Sequence, residues 1–324
     1  VLEGLPERDI RHALTELATP DTWRLEGPVI RSRQCDIFRA QSPDFPSKVA
    51  IKKYHSTELR AVEIQYQALV SYRSLSGDQN GVFTVPQPYG YLPQHGLVLM
   101  EWVDAPTLWR RLWGTLGRPT ARRALLRRTG AWLRRFHEHG GVETGEISTA
   151  HYRQKIVTIL AKSNAAKKKL EEDPIFKSAL NLLLRHEGLL KHKSFACAPL
   201  HGDFTPSNVL LSATGRVTGI DIWARRQGPV AEDIARMIIY LCVIFPFSGG
   251  GRMETQALLE GYGKDMVDAG SDCFNYILLY QYFQRWIRLA DRTRGLPYSI
   301  LDQIALARVK RNVAVLCKLP AFQR

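Results

Sequence analysis

The sequence predicts an α+β protein in two parts, an antiparallel sheet carrying one helix and then a mostly helical remainder. Three observations predict it. Strand-like stretches crowd the first hundred residues, TWRLEGPVI, CDIFRAQ and KVAIKKY among them, parted by turn-prone segments such as SPDFPS, which reads as a meander. Past Asp104 the pattern changes to long helical segments, around 119–139, 151–172, 174–191, 230–245, 253–268 and 272–293. Only one hairpin interrupts these helices, within APLHGDFTPSNVLLSATGRVTGIDIW.

A length of 324 residues with 45% hydrophobic and 23% charged content supports two packed parts and excludes a disordered chain or a stapled mini-protein. The longest apolar run, Met237 to Phe247, is far shorter than the roughly 20 residues a spanning helix needs. The opening VLEGLPERDIRHAL has neither a basic nor an apolar leader region, so no signal peptide is expected and the cytoplasm is the default address. Five scattered cysteines with no CxxC pair read as buried thiols, neither a disulfide framework nor a zinc site.

In chain order, a short amphipathic helix carrying Ile10, Leu14 and Leu17 precedes the meander. A second helix runs from about Ser56, an N-cap candidate, through Glu63 to Tyr72. TVPQPYGYLP and GLVLMEWV then return to extended structure.

The hairpin is the informative piece. Val209 to Leu211 and Val217 to Ile220 flank the turn Ser212-Ala213-Thr214-Gly215, and antiparallel pairing brings Asn208 and Asp221 together at its base. Asp203 lies five residues before Asn208 on the same loop. An amide oxygen beside a carboxylate suits Mg2+, which keeps waters and takes substrate phosphates as its remaining ligands. Such a metal serves a nucleotide, and the upstream half offers the complementary parts. In Val49-Ala50-Ile51-Lys52 the period of two puts Ala50 and Lys52 on one face, leaving room for a flat base beside an ammonium that reaches phosphates. Glu63 is positioned to pair with Lys52. Met100-Glu101-Trp102-Val103 forms an extended connector whose backbone at Glu101 and Val103 can read adenine.

Taken in order, these residues resemble the kinase-like phosphotransferases of aminoglycoside phosphotransferase and choline kinase type. VAIK at 49–52 is similar to the third-strand lysine motif, MEWV at 100–103 to the hinge, and His201 to Asn208 to the HGDxxxxN catalytic loop. Gly219-Ile220-Asp221 resembles the metal-binding strand end; Gly130, Leu133 and His137, then Gly228, Pro229 and Asp233, resemble the flanking helices. The resemblance implies a two-lobed protein kinase-like fold, with 1–103 as N-lobe, 104–324 as C-lobe, and ATP in the cleft between them. It implies that Asp203 orients or deprotonates an acceptor hydroxyl, that Asn208 and Asp221 hold Mg2+, and that Lys52, positioned by Glu63, contacts the α- and β-phosphates. His201 then supports the loop, and Asp233 braces it from a helix.

Two features depart from that pattern. The loop Val29 to Asp36 has no glycine, so Ser32, with Arg31 or Arg33, is expected to replace backbone cradling of phosphate. Asp221 is followed by Ile222-Trp223 and only 11 residues separate it from Asp233, leaving no room for a phosphorylatable activation segment. The acceptor expected is a small-molecule hydroxyl, a sugar or glycan first, with an aminoglycoside as runner-up through acids such as Asp265, Asp268, Asp272 and Asp291. An ATP-binding pseudokinase and a protein Ser/Thr kinase are the rivals. The net charge of +14 includes nine arginines from Arg110 to Arg135 with no acid between Ala105 and His137. Leu125, Thr129, Trp132, Leu133 and Phe136 share one helical face there, opposite Arg123, Arg127 and Arg134. That stretch is either a solvated face or a contact for an anionic membrane or glycolipid at the inner face of the membrane; no nucleic acid partner is expected.

Overall fold

The computed structural model describes residues 10, 14, 23–32, 34–55, 59–77, 81–146, 149–162, 170–185, 188, 190–224, 226–245, 248–292, 300–319 and 322. Leu17, Arg33 and Ser56 lie outside them. The chain divides into two compact units, 1–111 with 207–225, and 112–206 with 226–324. This division differs from one cut at 103, because the hairpin that follows Asp203 clusters with the first unit.

The first unit is built on β1 (Arg24–Arg31), β2 (Cys35–Gln41), β3 (Val49–Tyr54), the helix α1 (Leu59–Tyr72), the short strand β4 (Phe83–Thr84), β5 (Pro88–Leu92) and β6 (Leu97–Glu101). Five strands form one sheet in the order β1-β2-β3-β6-β5, every pairing antiparallel. Val49 and Ile51 of β3 join Phe38, Leu97 and Leu99 in an apolar core that Ile10 and Leu14 also enter. The alternation of β3 then sends Lys52 the other way, where α1 packs. Lys53 points away again and donates to the His95 carbonyl at 2.5 Å.

The second unit contains α3 (Pro119–Gly140), reached through α2 (Leu108–Trp113), then β7 (Glu143–Glu146), α4 (Thr149–Lys162), α5 (Pro174–Arg185) and β8 (Ser194–Pro199). The chain crosses into the first unit for β9 (Val209–Leu211) and β10 (Val217–Gly219). It returns for β11 (Gln227–Pro229), α6 (Ala231–Val243), α7 (Arg252–Tyr262), α8 (Asp272–Arg292) and α9 (Ile300–Leu316). α7 stops six residues before the end that periodicity predicts, because Gly263 takes φ +104° and turns the chain. The sequence also hides a three-stranded sheet, β11-β8-β7, since ETGE and QGP show no apolar alternation and pair only over long range. The apolar run at 237–247 is accounted for in part by α6, which is buried nearly all round.

The arginine-rich helix α3 corrects the reading of its polar face. Leu126, not Leu125, is fully buried, and so is Arg122, whose Nε meets Glu254 of α7 at 2.8 Å. Arg127 pairs with Glu260 at 2.7 Å, and Arg134 holds both carboxylate oxygens of Asp265 at 2.8 and 2.9 Å. The acids missing from the stretch are thus supplied from α7 and the turn that follows it, more than a hundred residues away in sequence. Trp132, which a membrane contact would expose, is fully buried and stacks on Phe136 and Phe204.

α3 and α7 touch backbone to backbone. A Cβ at Gly130 would stand 2.1 Å from the Leu258 carbonyl oxygen, and one at Gly261 would stand 2.0 Å from that of Arg127. Neither neighbour is a side chain that can swing aside, so Gly261→Ala must push the helices apart. We expect it to destabilise the protein by at least about 1–3 kcal/mol, read as a lowered denaturation midpoint, with Gly188→Ala, which meets nothing within 4 Å, as the silent control.

Candidate functional site

In the first unit the site is assembled from β3, α1 and the β9–β10 hairpin. Gly219 pairs with Val209, and the Ile220 N–H donates to the Asn208 carbonyl at 2.9 Å, so Asn208 and Asp221 stand at the base of one hairpin. The hairpin is anchored to this unit by parallel pairing of β10 with β4 and by the Leu211 N–H on the Pro106 carbonyl at 2.9 Å. Asp221 has φ +61°, a left-handed conformation that costs a non-glycine residue roughly 1–2 kcal/mol and that Asp and Asn tolerate best. Its Oδ1 accepts from Lys52 Nζ at 2.5 Å and from Gln65 Nε2 at 2.8 Å.

Lys52 is 6% exposed. Burial alone would lower its pKa, but the Asp221 charge, with Tyr54 and the Asp221 hydrogen bond, outweighs burial and holds the ammonium above its ordinary range. Nζ also lies 5.0 Å from the Tyr54 ring centroid and 5.8 Å from that of Trp223. Burial pushes the Tyr54 phenol up to about 12, and its hydroxyl donates to Gln65 Oε1.

The ion pair expected between Lys52 and Glu63 is corrected. Glu63 is on the exposed face of α1, while Gln65 is 1% exposed and turned toward Asp221. The sequence carries the signal: Val62, Gln65, Leu69 and Tyr72 share one helical face, and Glu63 lies off it. Gln65→Ala should weaken nucleotide binding by freeing both Tyr54 and Asp221, and Glu63→Ala should leave it within about twofold; calorimetry with ATP separates them, and equal losses would restore Glu63.

Ser32 is corrected as well. Its hydroxyl donates to the Cys35 carbonyl at 2.7 Å and accepts from the Gln34 and Cys35 N–H groups at 3.2 and 3.0 Å, so its one donor is spent closing the β1–β2 turn. Arg31 is exposed at the end of β1. Ala50 is buried beside Met100, its partner on β6. The Glu101 N–H donates to the Gln87 carbonyl at 2.8 Å and its carboxylate accepts from the Gln87 N–H at 3.2 Å, after which Trp102 to Asp104 leave the sheet. Val103 accepts from the Ala105 N–H at 2.9 Å.

In the second unit β8 runs directly into Leu200-His201-Gly202-Asp203. Asp233 of α6 fixes this turn: its Oδ2 accepts from the His201 N–H at 2.7 Å and its Oδ1 from the Gly202 N–H at 3.1 Å. His137 of α3 lies 3.2 Å from the same Oδ2, and its Nδ1 lies 2.9 Å from the Tyr262 hydroxyl. Burial raises the Tyr262 pKa, so the phenol stays protonated beside Nδ1. Burial by itself would raise the Asp233 pKa, yet the hydrogen bond and charge of His137, then His201 and Arg236, bring it below the ordinary range. Asp203, its side chain 43% exposed, receives Arg236 Nη1 on Oδ1 at 3.2 Å. Arg236 escapes sequence reading because nothing along the chain links it to Asp203.

These two half-sites can be set beside known proteins. The sequence model of the phosphotransferase enzyme family matches residues 63–268. Among solved structures, choline kinase LicA from Streptococcus pneumoniae superposes with a TM-score of 0.61 at 15% identity, covering 95% of this chain and 99% of that one. A glucosamine kinase in complex with glucosamine, ADP and inorganic phosphate gives 0.56 at 14%, covering 95% and 82%. Spectinomycin phosphotransferase, in complex with ADP and spectinomycin, gives 0.54 at 15%, covering 96% and 98%. No curated protein sequence matches the chain significantly. With the family matched over well more than half its length and the kinase-like fold shared along nearly all of it, the chain belongs to the phosphotransferase enzyme family.

Proposed function

We propose that the chain is an ATP- and Mg2+-dependent kinase that moves the γ-phosphate of ATP to a hydroxyl of a small molecule, a sugar or glycan being the favoured acceptor. The observation that carries this reading is the ion pair of the buried Lys52 of β3 with Asp221, at the base of a hairpin that also carries Asn208. The donor set fits magnesium. Among the described residues no three or more His, Cys, Asp or Glu gather into a cage, and one carboxylate with one amide suits an ion that draws its other oxygens from phosphates and water. When bound, the ion would neutralise charge on the β- and γ-phosphates.

Each residue then has a task it can perform with its own chemistry. Lys52 offers a permanently charged donor to the α- and β-phosphates, held ready by Asp221 and, through Asp221, by Gln65. The carbonyl of Glu101 and the backbone of Val103 would read the adenine edge, the Glu101 N–H being committed to Gln87. Asp203 orients the acceptor hydroxyl and takes its proton; because phosphoryl transfer has a loose transition state, that positioning counts for more than basicity. Asp233 clamps the two N–H groups just before Asp203, which keeps the carboxylate from wandering.

Free thiols at all five cysteines and the need for ATP favour a cytoplasmic setting. No described helix is long and apolar enough to cross a membrane. The arginines of α3 lend no support to membrane attachment, since Arg122, Arg127 and Arg134 are spent on Glu254, Glu260 and Asp265. The test is ADP release on addition of neutral sugars, sugar acids and sugar phosphates, amino alcohols and aminoglycosides, each with and without Mg2+. Failure to bind Mg-ATP would overturn the reading; binding without acceptor-stimulated release from any compound would favour a pseudokinase.

A further inference from the structure

The Arg236–Asp203 pair constrains the acceptor. Any hydroxyl delivered to Asp203 Oδ1 arrives beside a guanidinium whose Nη1 is 3.2 Å away. The Arg236 Nε is buried with no hydrogen-bond partner among the described residues. A guanidinium presents five donors in a planar fork, and one N–H on Asp203 does not satisfy them.

The surroundings add positive charge. Glu232 lies one turn before Arg236 on α6, but both its oxygens are taken, Oε1 by the Tyr152 hydroxyl at 2.8 Å and Oε2 by Arg226 at 2.5 Å. Arg226 also reaches His151 Nε2 at 3.2 Å, and Lys155 stands one turn further along α4. Burial lowers the Lys155 pKa, against the charge of Glu232 and with the smaller effects of Arg226 and Arg236. Asp233, the remaining acid of this face, is buried and turned to the loop backbone. Of the acids that would suit a polycation, Asp265 is held by Arg134 and Asp268 accepts the Gly270 N–H at 2.9 Å, while Asp272 is exposed at the start of α8.

Resting on the phosphotransferase reading above, we propose that Arg236 binds an anionic group of the acceptor, which is therefore a hydroxyl compound carrying a carboxylate or phosphate close to the hydroxyl that is phosphorylated. Arg236 leaves Asp203 for that group as the hydroxyl takes its place on Oδ1. An amine or quaternary ammonium at the same spot would meet the Arg236 guanidinium, with both Glu232 oxygens already taken.

The experiment compares four matched acceptors, glucose, glucosamine, glucuronate and glucose 6-phosphate, by ADP release from wild type, Arg236→Gln and Arg236→Lys. Wild type should favour glucuronate or glucose 6-phosphate over glucose by at least tenfold in kcat/KM and should use glucosamine least; which acid is better tells carboxylate from phosphate. Arg236→Gln should raise KM for the preferred acid at least tenfold and leave KM for ATP within twofold, and Arg236→Lys should recover part of the loss. Preference for glucose or glucosamine overturns the inference, as does turnover of none of the four by an enzyme that binds Mg-ATP. An equal fall in kcat for every acceptor overturns it too, by making Arg236 a residue that only positions Asp203. Loss of Mg-ATP binding in wild type would instead overturn the phosphotransferase reading itself.

Discussion

Asp221→Asn should cost the protein its Mg2+-dependent hold on ATP, by about 100-fold or more in dissociation constant, since it replaces the carboxylate proposed to hold the metal, where even outer partners are worth about 10–100-fold. Asparagine tolerates the left-handed backbone at this position and still offers Oδ1 to Lys52, so the substitution isolates the charge from the fold. It leaves a buried ammonium facing a neutral amide, which should also destabilise the protein by about 1–3 kcal/mol. Calorimetric titration with ATP in the presence and absence of Mg2+ measures the first effect and urea denaturation the second. If Mg-ATP still raises the melting temperature of the variant as it does that of wild type, Asp221 does not hold the metal.

Asp203→Ala should behave in the opposite manner. Turnover should fall by about 10²–10⁴-fold, the range that a positioned proton acceptor contributes, with Mg-ATP affinity within about threefold of wild type. The reasoning is one of separation along the loop: Asp203 is anchored through His201 and Gly202 to α6, and Lys52 and Asp221 are anchored to the sheet and to each other. Single-turnover assays and ATP calorimetry on the same preparation decide it. An ATP defect as deep as that of Asp221→Asn would show that the two carboxylates share one task.

Much of this is legible in the amino-acid sequence, and the reason differs from part to part. The alternation of VAIKKY tells which lysine turns toward the hairpin because a strand has only two faces. The hairpin places Asn208 near Asp221 because a tight turn leaves one register. What stays hidden depends on partners remote in sequence. Arg127 reads as part of a solvated face until Glu260 comes to it across a helix crossing, and β7 and β11 carry no pattern of their own until β8 lies between them. Ser32 misleads for another reason: a hydroxyl in a turn satisfies its own loop before it reaches a ligand. Glu63 attracts the assignment that belongs to Gln65 because a carboxylate is the obvious partner for an ammonium, although the helical face favours the amide.

The contact between Gly130 and Gly261 has a consequence beyond packing. Tyr262 follows Gly261, and its hydroxyl sets His137, which sets Asp233, which sets the two amides preceding Asp203. Gly130 and His137 are seven residues apart, nearly two turns and about 10 Å of helix, so both face the same neighbour. α3 therefore works as a gauge: the depth at which its glycine seats on α7 determines the height at which its histidine meets the loop. Mutations that loosen the crossing should blunt turnover at temperatures where the protein is still folded, and selection for a stable core and for an aligned carboxylate becomes selection on the same few atoms.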